Sequence, residues 1–133
     1  MEKEEIVLID TSSWIEALRS SGRADVRERV RGLLLNGLAA WCDMVAVELW
    51  NGARGDYERK KLAEFEEQIT CLSTTAAAWQ MARRLAQSCR KAGYTMPSAD
   101  LVIAACGLSH DVAIEHCDEH YDLIIKLAYE NGS

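Results

Sequence analysis

The segment Ile6-Val7-Leu8-Ile9, followed at once by Asp10-Thr11-Ser12, decides the fold class of this chain. Four consecutive apolar residues predict a strand buried on both faces, as in a parallel sheet covered by helices. Parallel α/β proteins build their sites where the carboxyl ends of the strands meet the following loops. The segment therefore predicts a central strand and places Asp10 at the functional edge of the sheet.

Further apolar runs alternate with helix-length segments along the rest of the chain. Residues 38–42, 69–72 and 112–114 predict three more strands. Helices are predicted at about residues 13–18, 25–36, 44–50, 56–68, 75–93, from 98 onward, and 119–129. Such alternation implies right-handed βαβ units. We therefore expect an α/β fold, with a short parallel sheet of about four strands between helix layers.

Local signals refine this picture. Ser13-x-x-Glu16 fits a capping box, and Asp43 and Thr75 are candidate N-caps. In the helix that follows Thr75, one face carries Trp79, Ala82, Leu85, Ala86 and Cys89. All four tryptophans lie among apolar residues, so we expect core packing rather than base stacking.

Length and composition fit one globular domain covering residues 1–133. No linker or repeat divides the chain, and no apolar run is long enough to cross a bilayer. The acidic start of the sequence does not resemble a signal peptide. The cysteines number five, an odd count without a C-x-x-C pair, which argues against a disulfide framework and favours mostly buried thiols. These features predict a cytoplasmic protein without a membrane segment.

The net charge of −6, with 21 acidic and 15 basic residues, argues against a high-affinity basic binder of nucleic acid. It is compatible with an enzyme whose site is a carboxylate cluster, because a bound cation reverses the local sign of the charge. Exposed arginines such as Arg19, Arg23, Arg54, Arg83 and Arg84 do not identify an RNA-binding surface by themselves.

Four acidic residues follow predicted strands or begin the elements after them. They are Asp10, Glu48, Asp100 and Asp118, named below as the acidic quartet. Each residue taken alone has a simpler interpretation. Asp10 would be a helix cap and Glu48 a solvated helix residue. Asp100 would be a residue favoured by the helix dipole, and Asp118 part of a polar loop. As an ordered set at strand ends they predict one convergent cluster.

Such a cluster would repel itself without a cation. Carboxylate oxygens match Mg²⁺ or Mn²⁺. Either ion can activate water and stabilise charge on phosphoryl oxygens, which predicts phosphodiester hydrolysis without a protein nucleophile.

The four segments resemble motifs of the PIN-domain family. Val7-Leu8-Ile9-Asp10-Thr11-Ser12 is similar to its opening strand, and Val45-Ala46-Val47-Glu48-Leu49-Trp50-Asn51-Gly52 to its second motif. Pro97-Ser98-Ala99-Asp100-Leu101-Val102-Ile103-Ala104-Ala105 resembles the third, and Cys117-Asp118-Glu119-His120-Tyr121 the fourth. Their order and separation match across almost the whole chain.

The resemblance implies a metal-dependent endoribonuclease, with the acidic quartet as metal-binding and catalytic residues. The compact size resembles VapC-type toxins, which implies a homodimer and a small VapB-type antitoxin partner. By motif position, Thr11 or Ser12 would orient a ligand or water, and Asp122 would support the site from outside. One departure concerns the C-terminus, where the family's last edge strand is expected to be absent or truncated.

Other classes fit less well. A haloacid-dehalogenase-like phosphatase needs a second Asp where Ser12 stands, and a receiver domain needs an Asp after its third strand, where Ser73-Thr74-Thr75 follows. His116-Cys117-x-x-His120 lacks further ligands and the geometry of a zinc site. Two alternatives remain open: a PIN-fold RNA-processing nuclease without an antitoxin, and a non-catalytic PIN-fold binding module.

Overall fold

A four-stranded parallel sheet forms the centre of the molecule in the computed structural model, which describes residues 5–130. The strands are β1 (Val7–Ile9), β2 (Ala39–Cys42), β3 (Thr70–Leu72) and β4 (Ala113–Glu115), in the order β3-β2-β1-β4. Leu8 is paired with Ala40 on one side and Ile114 on the other, so β1 is an interior strand. Leu8 and Ile9 are fully buried as predicted, whereas Ile6 and Val7 are only partly buried.

Seven helices of residues 5–130 connect and cover the strands. They are α1 (Thr11–Leu18), α2 (Ala24–Leu35), α3 (Asp43–Gly52), α4 (Asp56–Gln68), α5 (Ala76–Lys91), α6 (Ser98–Ser109) and α7 (Glu119–Glu130). Helix α6 packs against α5 and α7, and α1 packs against α2 and α3. The prediction of an α/β fold with a short parallel sheet flanked by helices is confirmed.

Close packing of α6 on the sheet depends on a glycine. A Cβ atom at Gly107 would lie 2.8 Å from the side chain of Ile114 on β4 and 3.3 Å from that of Leu8 on β1. The seven consecutive residues 101–107 are buried, which fits the apolar character of this helix on all sides. Because α6 begins two residues before Asp100, this contact also fixes the position of that carboxylate.

Two predicted helix starts are wrong. Ser13 does not cap α1: the helix begins at Thr11, and Asp10 is its N-cap, with the Ser13 N–H donating to Asp10 Oδ1 at 3.0 Å. Asp43 is the first residue of α3, and Cys42 occupies the N-cap position. In both cases the chain turns directly from strand into helix, so the helix begins earlier than the capping signal suggested.

The tryptophans divide into two pairs. Trp14 and Trp41 are buried, as predicted, but Trp50 and Trp79 are 37% and 44% exposed. The buried face of α5 runs through Ala78, Ala82, Leu85 and Cys89, so Trp79 lies beside that stripe rather than on it. The expectation of core packing was therefore wrong for Trp50 and Trp79.

Among the cysteines, Cys42, Cys89 and Cys106 are buried, which confirms that most are interior thiols. Within residues 5–130 no strand follows α7, and residues 131–133, to which the expectation of an absent or truncated last strand extends, lie outside the described part of the chain. None of the helices in residues 5–130 combines the length and apolarity needed to span a bilayer.

Candidate metal centre

Asp10 is the most enclosed member of the acidic quartet, with 1% of its surface exposed. Its carboxylate accepts hydrogen bonds from Ser12 Oγ at 2.7 and 2.9 Å, and from the Ser13 N–H. Burial raises the pKa of Asp10 above its usual value, and these hydrogen bonds oppose that rise only in part. The site therefore holds a carboxylate whose negative charge is poorly compensated by the protein.

Glu48 is carried to the same edge of the sheet by α3. Its Oε1 atom accepts a hydrogen bond of 2.6 Å from Thr11 Oγ1, the residue that follows Asp10. This contact joins α3 to the first turn of α1 across 37 residues of sequence. It explains how a residue on a half-exposed helix is held next to the end of β1.

Asp100 and Asp118 face one another across the start of two helices. His120 Nδ1 lies 3.0 Å from Asp100 Oδ2 and 3.2 Å from Asp118 Oδ1. Burial raises the pKa of Asp100, and the nearby charge of Asp118 adds to this, whereas the hydrogen bond with His120 opposes it. That same hydrogen bond raises the pKa of His120. One donor atom from each of these three residues lies within 4.8 Å of the other two, a spacing that allows all three to bind one ion.

Tyr121 connects the separate parts of the site. Its ring is buried, and its hydroxyl donates a 3.4 Å hydrogen bond to Asp100 Oδ1. Burial raises the pKa of Tyr121, and the charges of all four members of the acidic quartet raise it further. Asp100 and Asp118 lie within ligand distance of each other and of His120, whereas Asp10 and Glu48 are held at the same edge of the sheet by Ser12 and Thr11.

The three predicted supporting residues differ in position. Thr11 and Ser12 contact members of the quartet directly. Asp122 lies further out, with 76% of its side chain exposed and its carboxylate 3.3 Å from His116 Nε2. His116 stacks on Tyr121 with 5.2 Å between ring centroids, so Asp122 reaches the site only through two intervening rings.

His120 and Tyr121 belong to the fourth motif quoted above, but the sequence assigned neither of them a role in the site. His120 was weighed as a ligand only in a soft-metal motif with His116 and Cys117, yet its partners are carboxylates. Cys117 instead lies beside Ser12, with both its N and Sγ atoms 3.5 Å from Ser12 Oγ. The available signal was position: a residue two places after Asp118 in the first turn of α7 remains close to that carboxylate.

The donor set fits a divalent cation. Carboxylate oxygens suit Mg²⁺ and Mn²⁺, and a cation would relieve the repulsion within a partly buried anionic cluster. Beside Asp118 an open depression of about 500 Å³ gives space for a substrate. Its walls are formed by Ser12, Ile15, Glu16, Cys117, Asp118 and Glu119. Cation and open surface together can support hydrolysis of an anionic substrate.

The fold and the acidic residues at the carboxyl edge of its sheet place this protein among parallel α/β domains with a candidate metal centre. The particular family follows from comparison with known proteins. The sequence model of the PIN domain matches residues 7–127, and the chain belongs to this family.

Similar sequences and similar solved structures support this family assignment. The chain is 32% identical over 126 residues to Ribonuclease VapC11 of Mycobacterium tuberculosis and to a VapC ribonuclease of Mycobacterium bovis, covering 92% of this chain and 93% of each relative. The fold is similar to VapBC-1 from nontypeable Haemophilus influenzae, with a TM-score of 0.71, 19% identity and coverage of 91% and 92%. FitAcB from Neisseria gonorrhoeae matches with a TM-score of 0.70, 18% identity and coverage of 90% and 92%.

Proposed function

We propose that this PIN domain is a divalent-metal-dependent endoribonuclease and the toxin of a VapBC-type toxin–antitoxin pair. The observation that carries the proposal is the close approach of Asp100 and Asp118 at His120, with Asp10 and Glu48 held at the same edge of the sheet by Ser12 and Thr11. The names of the VapC relatives, which match over almost their whole length, support RNA as the substrate. The expected place of action is the cytoplasm, where RNA and a partner protein would both be available.

Each member of the quartet has a defined task in this proposal. Asp10, Asp100 and Asp118 would bind Mg²⁺ or Mn²⁺, and Glu48 would bind the ion or a water molecule beside it. A bound ion supplies an activated water and stabilises charge on the phosphate. Ser12 holds both oxygens of Asp10, and Thr11 holds one oxygen of Glu48, so the ligands are oriented before the ion arrives.

The open depression next to Asp118 gives the substrate access. It is lined on both sides by polar groups, and it lies between the start of α1 and the start of α7. A phosphodiester entering there would approach the cluster from solvent. The acidic residues on its rim would disfavour a bare phosphate, so the cation is needed for binding as well as for hydrolysis.

The decisive test measures cleavage of a structured RNA with and without a chelator. Activity should be lost in EDTA and return with Mg²⁺ or Mn²⁺, and Asp118→Asn should remain inactive under both conditions. Asp56→Asn is a matched control, because the Asp56 side chain is fully exposed at the start of α4, and it should cut like the parent. Undiminished cleavage in EDTA would remove the metal mechanism, and absence of cleavage under all conditions would favour a non-catalytic binding module.

An antitoxin partner is the second part of the proposal. A groove of about 390 Å³ lies between α1, α2 and α4, with Trp14, Leu18, Val30, Leu34 and Phe65 among its lining residues. Phe65 of α4 forms the third wall of this groove. A bound segment could fill this groove with apolar side chains.

A homodimer is proposed on separate grounds. Val47 and Trp50 leave apolar surface exposed on α3, 61% and 37% of each residue respectively. Light scattering should report a dimer at micromolar concentration, and a protein encoded by a neighbouring gene should copurify and suppress cleavage. An active monomer without such a partner would favour the alternative of an RNA-processing nuclease.

A further inference from the structure

His120 is placed like a ligand, although it does not belong to the acidic quartet. Its Nδ1 atom lies 3.0 Å from Asp100 Oδ2 and 3.2 Å from Asp118 Oδ1. Adjacent ligands of an octahedral ion with bonds of about 2.1 Å are separated by about 3.0 Å. The nitrogen therefore already lies at the distance of a neighbouring ligand from each oxygen, and the three donor atoms lie within 4.8 Å of one another.

Surrounding contacts hold this arrangement in place. The His120 backbone N–H donates to Asp118 Oδ1 at 2.9 Å, which fixes this carboxylate relative to the first turn of α7. The other oxygen of Asp100 accepts from the Tyr121 hydroxyl. Because 41% of the His120 side chain is exposed, an ion can reach the three donor atoms without unfolding α7.

We propose that His120 Nδ1 coordinates the cation together with Asp100 and Asp118, and that this mixed donor set makes the site prefer Mn²⁺ to Mg²⁺. The proposal rests on the metal site of the proposed function and adds a ligand to it. Mg²⁺ favours oxygen ligands and retains its waters, whereas imidazole nitrogen is a better ligand for first-row transition ions.

A competing arrangement has the same distances. His120 could act only as a cationic bridge that hydrogen-bonds to both carboxylates and moves away when an ion binds. The two arrangements differ in one observable: whether a histidine nitrogen is bonded to the ion in the loaded protein.

Pulsed electron paramagnetic resonance of the full chain loaded with Mn²⁺ tests this directly. The spectrum should show ¹⁴N modulation from a coordinated imidazole, and the pattern should change to that of ¹⁵N when the protein is grown with ¹⁵N-labelled histidine. This labelled sample needs no substitution, so it does not depend on the folding of a variant. Bound Mn²⁺ without nitrogen modulation would overturn the proposal.

Histidine substitutions then identify which residue supplies the nitrogen bound to Mn²⁺. His120→Gln should lose the modulation, whereas His110→Gln should retain it, because the His110 ring lies at the end of α6 against the Ser73 carbonyl. His116→Gln should also retain it. Loss of the signal in His116→Gln, or its persistence in His120→Gln, would contradict ligation by His120.

Affinity gives a second readout that does not require cleavage. Calorimetric titration of His120→Gln should show Mn²⁺ binding weakened by roughly tenfold or more, the loss typical when a metal site loses a supporting group. Mg²⁺ binding should change much less, and His110→Gln should match the parent for both ions. Equal losses for Mn²⁺ and Mg²⁺ would contradict the proposed preference. If neither ion binds the parent protein, the proposed function itself fails; if Mn²⁺ binds without a nitrogen ligand, only this inference fails.

Discussion

Helix α1 links two regions of opposite physical character. Its first turn contacts the acidic quartet through Thr11 and Ser12, and Trp14 of the same helix packs with Trp41 and Phe65 in an aromatic cluster. The ring centroids in that cluster are 5.1 to 6.5 Å apart, within the range of favourable aromatic contacts. Burial destabilises the charged form of the Asp10 carboxyl, whereas it stabilises the aromatic rings only a few residues away.

This difference shows where the stability of the domain arises. In the acidic quartet, Asp10 and Asp100 keep charges that folding alone does not favour, since burial raises the pKa of both carboxyls. The aromatic cluster and the buried strands offset that cost. A substitution in the aromatic cluster should therefore reduce stability, whereas a substitution in the quartet should reduce activity without reducing stability.

Trp14→Ala should have the largest effect on stability. Removing a fully buried indole should lower the free energy of unfolding by about 3–5 kcal/mol. Trp79→Ala is the matched control, and because Trp79 is 44% exposed it should change stability by less than about 1 kcal/mol. Urea unfolding followed by circular dichroism measures both; similar losses in the two variants would contradict the distinction between these tryptophans.

Asp10→Asn should separate activity from stability. We expect cleavage to fall by about a hundredfold or more, since loss of a metal-binding charge removes several kcal/mol of transition-state stabilisation. The metal-free variant should be at least as stable as the parent, because Asn also caps helices and carries no buried charge. A thermal melt showing a clear loss of stability would instead identify Asp10 mainly as the structural cap of α1.

The pH dependence of the metal-free protein should sharpen this result. Burial raises the folded pKa of Asp10 above that of an ordinary Asp carboxyl, so the folded state binds this proton more tightly than the unfolded chain does. The resulting contribution to stability is complete below the unfolded pKa and is lost as pH rises through the raised folded pKa. With EDTA present, the advantage of Asp10→Asn over the parent should therefore grow as pH increases above about 4. A difference that is constant with pH would contradict this account.

The sequence predicted the sheet more accurately than the details around it. An apolar run such as Ile6-Val7-Leu8-Ile9 specifies burial directly, and the residue after it must lie at the carboxyl edge. The residue that caps a helix depends on where the chain turns from strand to helix. The sequence did not show that this turn occurs at Asp10, so Ser13 was wrongly predicted to be the N-cap of α1. The hydrogen bonds of Thr11 and His120 join residues far apart in sequence or on different helices, and no local pattern encodes them.

Thr11→Val should have the smallest effect and tests how the two regions meet on α1. The substitution keeps the shape of the side chain but removes the hydroxyl that donates to Glu48 Oε1 at 2.6 Å. A hydrogen bond to a charged group contributes about 1.5–3 kcal/mol, and its loss leaves Glu48 free to turn toward solvent. We expect cleavage to fall by about tenfold, or about 1.4 kcal/mol. Thr11→Ser retains the hydroxyl and should cut almost like the parent, while Trp14 and the aromatic cluster remain undisturbed in both variants. If Thr11→Val cuts as fast as Thr11→Ser, Glu48 is oriented without this bond, and the first turn of α1 serves the site only by carrying Asp10 and Ser12.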